Sequence, residues 1–158
     1  MAISNNVTRL LDAKKIAYTA FELPEEKLGA VETAEILKVD PALVYKSIVV
    51  LRSKGKPILC VVPGDSEVDL KAVSAYLGEK KVHVPTQKEA EDMTGLQVGG
   101  ISPLALLNKG FQVILDDSIH KHTEIHISGG QRGLNIRLKP ADLVKLTNAR
   151  VAAIAVRL

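Results

Sequence analysis

The chain has 158 residues, 46% of them apolar and 25% charged, which suits one soluble domain spanning residues 1–158 with a core of its own. Its single cysteine, Cys60, excludes an internal disulfide, and no apolar run approaches the roughly 20 residues that cross a bilayer, which excludes a spanning helix. The formal charge of +3 is uneven: residues 1–118 carry 14 Lys/Arg against 16 Asp/Glu, and residues 119–158 carry 7 against 2, so the C-terminal quarter is either a solvated basic surface or a seat for a polyanion.

Met1–Thr8 has no basic segment leading into an apolar stretch, so no secretory signal is read and a cytoplasmic location is expected. Ile3, Val7, Leu10 and Leu11 fall at helical spacing and predict a first helix. A strand is expected over Ala17–Leu23, ended by Pro24. Val31–Lys38 reads as a second helix, and Asp40-Pro41 as the cap and first residue of a further turn. Two apolar runs follow, Lys46–Leu51 and Ile58–Val62, joined by the turn-rich Arg52–Pro57; a hairpin buried on both faces is predicted. Asp69 can cap a helix that runs to Leu77 and stops at Gly78. Thr86-Gln87-Lys88-Glu89 is a capping box, with Gly95 to close its helix. Strands are expected over Gln112–Leu115, Thr123–Ser128 and Leu134–Leu138. A helix from Pro140 to Leu146 and a last strand over Val151–Val156 complete the chain. Helices and hairpins interleave, which predicts a mixed α/β domain around a largely antiparallel sheet.

Lys46 stands at the mouth of an apolar strand. There it either snorkels to solvent or turns its ammonium on a phosphate or an ester. Val98-Gly99-Gly100-Ile101-Ser102-Pro103 is either a plain tight turn or a loop whose freed backbone aims several N–H groups at one developing oxyanion. Ser128-Gly129-Gly130-Gln131-Arg132-Gly133 reads as a hairpin turn or a phosphate cradle with Arg132 as its fork. His120, His122, Glu124 and His126 share strand parity, which predicts one polar face; a metal on that face is the weaker reading, because no further ligands flank it. Cys60 lies inside an apolar run and reads as a small buried hydrophobe. Ser47 and Ser102 lack a nucleophile elbow.

These segments, in this order, resemble the YbaK/ProX family of aminoacyl-tRNA editing domains. The resemblance rests on Val44–Val50, Val62-Pro63, Asp69-Leu70-Lys71, Thr94-Gly95, Val98–Pro103 and Ser128–Leu134. It implies a single α/β domain whose curled, barrel-like sheet is flanked by helices. It implies an aminoacyl-tRNA deacylase that removes cysteine from tRNA(Pro), with alanyl-tRNA(Pro) or a non-catalytic tRNA- or nucleotide-binding module as alternatives. It implies a catalytic lysine at Lys46, and a glycine-x-x-x-proline loop, Gly99, Gly100, Ile101, Ser102 and Pro103, that holds the scissile carbonyl by backbone amides. Tyr18, Ser128, Gly129, Arg132 and Asn135 are the implied substrate-facing positions. Neither metal nor cofactor is implied; the partners implied are aminoacyl-tRNA and prolyl-tRNA synthetase. With a cysteinyl substrate, the substrate's own thiol would attack the ester. The chain departs from the pattern at Asn135 and Arg137, where many relatives are acidic, and at Leu104–Lys109, where the usual basic residues are thinned.

Overall fold

The computed structural model describes residues 3–158. Helix α1 (Asn6–Ala13) starts at Asn5, whose side chain accepts the Thr8 N–H at 3.0 Å while the Thr8 hydroxyl accepts the Asn5 N–H at 2.9 Å. Strand β1 (Tyr18–Glu22) follows, then α2 (Ala30–Leu37) and a 3-10 turn, Pro41–Leu43, capped by Asp40. The predicted hairpin is formed by β2 (Tyr45–Arg52) and β3 (Ile58–Pro63). Next come β4 (Ser66–Val68), α3 (Leu70–Leu77), β5 (Val82–His83) and α4 (Gln87–Thr94). Asp69 and Thr86 cap the two helices, and Gly78 and Gly95 end them with φ of 71° and 72°, left-handed values that glycine adopts without strain. The remainder is β6 (Gln112–Asp116), β7 (Ile125–Ser128), β8 (Leu134–Leu138), α5 (Pro140–Thr147), β9 (Arg150–Ala152) and β10 (Ala155–Arg157).

The strands form three sheets: β5-β2-β3-β6-β9, β1-β8-β7 and the pair β10-β4. The five-stranded sheet is mixed, because β3–β6 and β6–β9 run parallel; every other pairing between these strands is antiparallel. The expected barrel is therefore not formed. Among the described residues the only β-bridge between the two larger sheets is an isolated one from Val44 to His126, so the sheet curls and stops short of closure.

Strand alternation divides the core. Tyr45, Val49, Leu59, Val61, Val113 and Leu115 face α1 and the inner residues of the three-stranded sheet, such as Ile125, Ile127 and Ile136. Val50, Ile58, Cys60, Val62 and Ile114 face the opposite way, onto Val73, Val82 and Ile154. Each such side chain, fully buried, contributes about 1.5–3 kcal/mol.

Three further expectations change. Strand β3 is buried throughout, but Lys46, Ser47 and Ile48 of β2 are only half-buried, because an open cavity lies beside them. The single strand expected over Val151–Val156 is two strands. Buried Asp116 breaks it: its Oδ1 accepts the N–H groups of Ile154 and Ala155, both at 3.0 Å, and turns the chain. The histidines do not share a face. His120 lies in a 3-10 turn, Asp117–Lys121, and His122 follows it as its cap; β7 begins only at Ile125, and His126 is 3% exposed. No cluster of potential metal ligands occurs among the described residues.

Candidate functional site

A cavity of about 350 Å³ opens where β2 parts from its neighbours. Five consecutive β2 residues, Tyr45 to Val49, border it. Side chains alternate along a strand, so a space touched by five in succession meets the strand at its edge. The pairing explains why that edge is open. Val44 is bridged to His126 and Leu51 pairs with His83, but between them β2 has no partner on this side. Much of the lining is apolar, including Leu28, Val84 and Leu134; Lys46 and Glu26 are the charged side chains at its wall. Lys46 forms no ion pair among the described residues.

The glycine loop forms a second wall. Gly99 and Ile101 border the cavity, and Gly99 takes φ of 98°, a backbone conformation that few other residues adopt. The Val98 N–H donates to the Glu91 carboxylate at 2.8 Å, and the Gly100 N–H to the Gln97 carbonyl at 2.8 Å. The N–H groups of Gly99, Ile101 and Ser102 have no hydrogen-bond partner among the described residues, although Ile101 and Ser102 are buried. Buried donors are ordinarily paired, so the two buried ones, beside the free N–H of exposed Gly99, mark a place where an acceptor belongs.

Of the residues expected from sequence, Lys46, Gly99, Ile101, Ser128 and Asn135 meet at this cavity. The others hold the frame or lie elsewhere. Gly100 packs against the backbone of Gln131 and Arg132, where a Cβ would come within 2.8 Å. The Ser102 hydroxyl caps the following turn by accepting the Leu104 N–H at 3.2 Å, and Pro103 begins that turn. Gly129 is pressed on Leu134, leaving no room for a side chain. Arg132 does not present its Nε to a phosphate; that group donates to the Val98 carbonyl at 2.8 Å and ties the second glycine loop to the first. Tyr18 lies outside the cavity because its hydroxyl donates to the Asp12 carboxylate at 2.9 Å, on the α1 side.

Two functional features carry no signal in the sequence: Glu26 at the cavity wall and the partner of Asn135. His126 Nδ1 and Asn135 Oδ1 are 2.8 Å apart and both residues are buried. Burial holds the His126 imidazole below its ordinary value; the hydrogen bond to Asn135 opposes this, the Arg137 cation adds to it less strongly, and Glu124 opposes it most weakly. Burial pushes the Tyr45 hydroxyl up to about 12, although its hydrogen bond to Ser118 (2.7 Å) opposes the shift. The Cys60 thiol is likewise pushed up to about 12 by burial, which makes it inert as a nucleophile at neutral pH.

The chain is similar to several known proteins. The model of the aminoacyl-tRNA editing domain matches residues 24–146. A protein of Enterococcus faecalis named as a Cys-tRNA(Pro)/Cys-tRNA(Cys) deacylase, EbsC, is 32% identical over 154 residues, covering 96% of this chain and 93% of its own. Among solved structures, the hypothetical protein APE2540 superposes with a TM-score of 0.88 at 23% identity, covering 96% of this chain and all of the other; at that identity the likeness concerns the fold. A structure described as a trans-editing enzyme for prolyl tRNA synthetase superposes with a TM-score of 0.78 at 25% identity, covering 97% of this chain and 98% of the other.

Proposed function

Because the chain belongs to the aminoacyl-tRNA editing family of the YbaK/ProX type, we propose that it hydrolyses the ester of mischarged aminoacyl-tRNA, with Cys-tRNA(Pro) as the substrate. One observation carries this reading: an unpaired lysine and a loop with three unpaired N–H groups border the same cavity. An aminoacyl ester is already activated. The protein has to hold it, orient it and stabilise the oxyanion that forms at its carbonyl. The Gly99 and Ile101 amides, which border the cavity, are the donors for that oxyanion. Lys46 neutralises the phosphate or ribose region of the terminal adenosine.

No protein nucleophile is required. Ser102 is buried and spent as a cap, and Cys60 is sealed in the core on the other face of the sheet. With a cysteinyl substrate, the substrate thiol attacks its own ester carbonyl. The C–S bond forms, the C–O bond to the ribose breaks, and the thiol proton goes to the departing ribose oxygen; water then opens the released cyclic thioester to free cysteine. With an alanyl substrate, a water takes the place of the thiol. The apolar lining favours a small uncharged side chain and so supports both. The basic C-terminal quarter supplies salt-sensitive attraction for the tRNA, and prolyl-tRNA synthetase is the proposed docking partner.

The test is deacylation of a panel of mischarged tRNAs by wild type and Lys46→Ala. The variant is expected to lose roughly 10–100-fold in kcat/KM, in line with the 1.5–3 kcal/mol of a hydrogen bond to a charged group. A wild type that leaves every ester in the panel at its uncatalysed rate would sink the proposal. Cleavage of alanyl-tRNA with cysteinyl-tRNA spared would replace the preferred substrate.

A further inference from the structure

The pairing of Asn135 with His126 bears on which part of the substrate the cavity can recognise. Asn135 lies on β8, directly opposite Ser128 of β7, and His126 sits diagonally across from it. The amide oxygen of Asn135 is held at 2.8 Å from His126 Nδ1. An amide oxygen only accepts, so the ring nitrogen facing it carries the proton. With the oxygen turned to the imidazole, the NH2 group turns away from it.

The open space that Asn135 borders is the cavity. Its Nδ2 makes no hydrogen bond, yet it is not a sealed orphan; among the described residues the only side-chain polar atom both sealed and unpartnered is Arg137 Nε. The NH2 group is therefore not sealed, and the residue that carries it borders the cavity. His126 is held in turn. Its ring lies 5.5 Å from that of Phe21, and Arg137 stands directly across the strand pair. A cation in that position disfavours a second proton on the ring.

We propose that Asn135 is a donor to a substrate oxygen, and that His126 is the positioning residue that sets it so. This deepens the reading of the cavity as a deacylase site and rests on it. The oxygen belongs to the acylated ribose end, either the ester itself or the neighbouring hydroxyl. The α-ammonium of the aminoacyl group cannot sit at Asn135, because two N–H donors and a cation repel. It is directed instead toward Glu26, the only carboxylate at the described wall. The cavity thus assigns its two polar recognition tasks to opposite ends, with the ribose oxygens at β8 and the ammonium at the loop before α2.

Two measurements test this, and they fail separately from the deacylase reading. The first is Asn135→Asp, assayed on the mischarged tRNA that wild type cleaves best. The replacement is isosteric and keeps an acceptor for His126 Nδ1–H, but it presents an acceptor to the cavity. A loss of at least tenfold in kcat/KM, with the melting temperature little changed, is expected. Activity equal to wild type would show that Asn135 serves only to hold His126, and higher activity would show an ammonium seat; either result overturns the proposal. The second is the ¹⁵N spectrum of the His126 side chain between pH 7 and 8, which requires no substrate. The Nδ1–H tautomer is expected. An Nε2–H tautomer would mean that the amide oxygen faces the cavity, and would overturn the proposal even with an active enzyme. If wild type proves inert on every substrate, the functional reading fails, and the spectrum still decides which way Asn135 points.

Discussion

Gly100→Ala puts the link between the two glycine loops to a quantitative test. A Cβ built on Gly100 lies 2.8 Å from Cα and C of Gln131 and 2.9 Å from the Arg132 nitrogen, whereas ordinary contacts begin at 3.4 Å. All three neighbours are backbone, so no side chain can swing away. Gly100 has no positive φ, so the cost is one of space and not of backbone conformation. The loops must part by about 0.6 Å, and overpacking of this kind costs about 1–3 kcal/mol. For a chain of this length that lowers Tm by roughly 2–12 °C. The same displacement moves the unpaired N–H groups of Gly99, Ile101 and Ser102 relative to a substrate held on the β2 side. A 1 Å misplacement in an active site can cost about 100-fold, so a roughly tenfold drop in kcat/KM is expected here. Thermal unfolding followed by circular dichroism and single-substrate deacylation kinetics would measure the two effects. A variant with wild-type Tm and wild-type kcat/KM would refute the reasoning, because it would show that the loops are free to separate and that Arg132 does not fix the donors.

Acid should act on the fold through His126. Its folded-state pKa is depressed by burial, so the unfolded chain takes up a proton near its ordinary value of about 6.5 that the folded chain refuses. Stability from this group is complete above about pH 6.5 and is lost as pH falls toward the lower folded value; a His126→Gln variant should show a flatter fall in Tm over that window, and an unchanged slope would exclude His126 as the cause. Cys60 should resist iodoacetamide at pH 8 in the native protein and react at once in urea, as read by mass spectrometry. Rapid alkylation of the folded chain would contradict a thiol buried in the sheet and pushed up to about 12.

Much of the framework was legible before any coordinates. The caps at Asp69 and Thr86, the stops at Gly78 and Gly95, and the hairpin from β2 to β3 are local signals: each is satisfied by residues a few positions apart, and each appears where the sequence placed it. The order of motifs also pointed to Lys46 and the Gly99–Pro103 loop. It could not say that Ser102 and Pro103 serve the turn while Gly99 and Ile101 border the cavity, since that depends on which way a loop is pressed by a hairpin some 30 residues later.

What the sequence determined by itself was the set of elements and the chemistry available to them. Tertiary structure alone decided where that chemistry meets. Tyr18, an expected substrate contact, is drawn to Asp12, and Arg132, an expected phosphate fork, is drawn to Val98. The histidine that read as part of a polar face became the buried partner of Asn135, because β7 starts late and pairs with β8 in a register that sets the two residues diagonally. The cavity itself exists because a sheet that could have closed joins its two halves through one bridge at Val44 and leaves the edge of β2 open. Caps and alternation are settled within a turn or a strand, and so are written locally. A gap between strands follows from the pairing of segments some 80 residues apart, which no local pattern encodes.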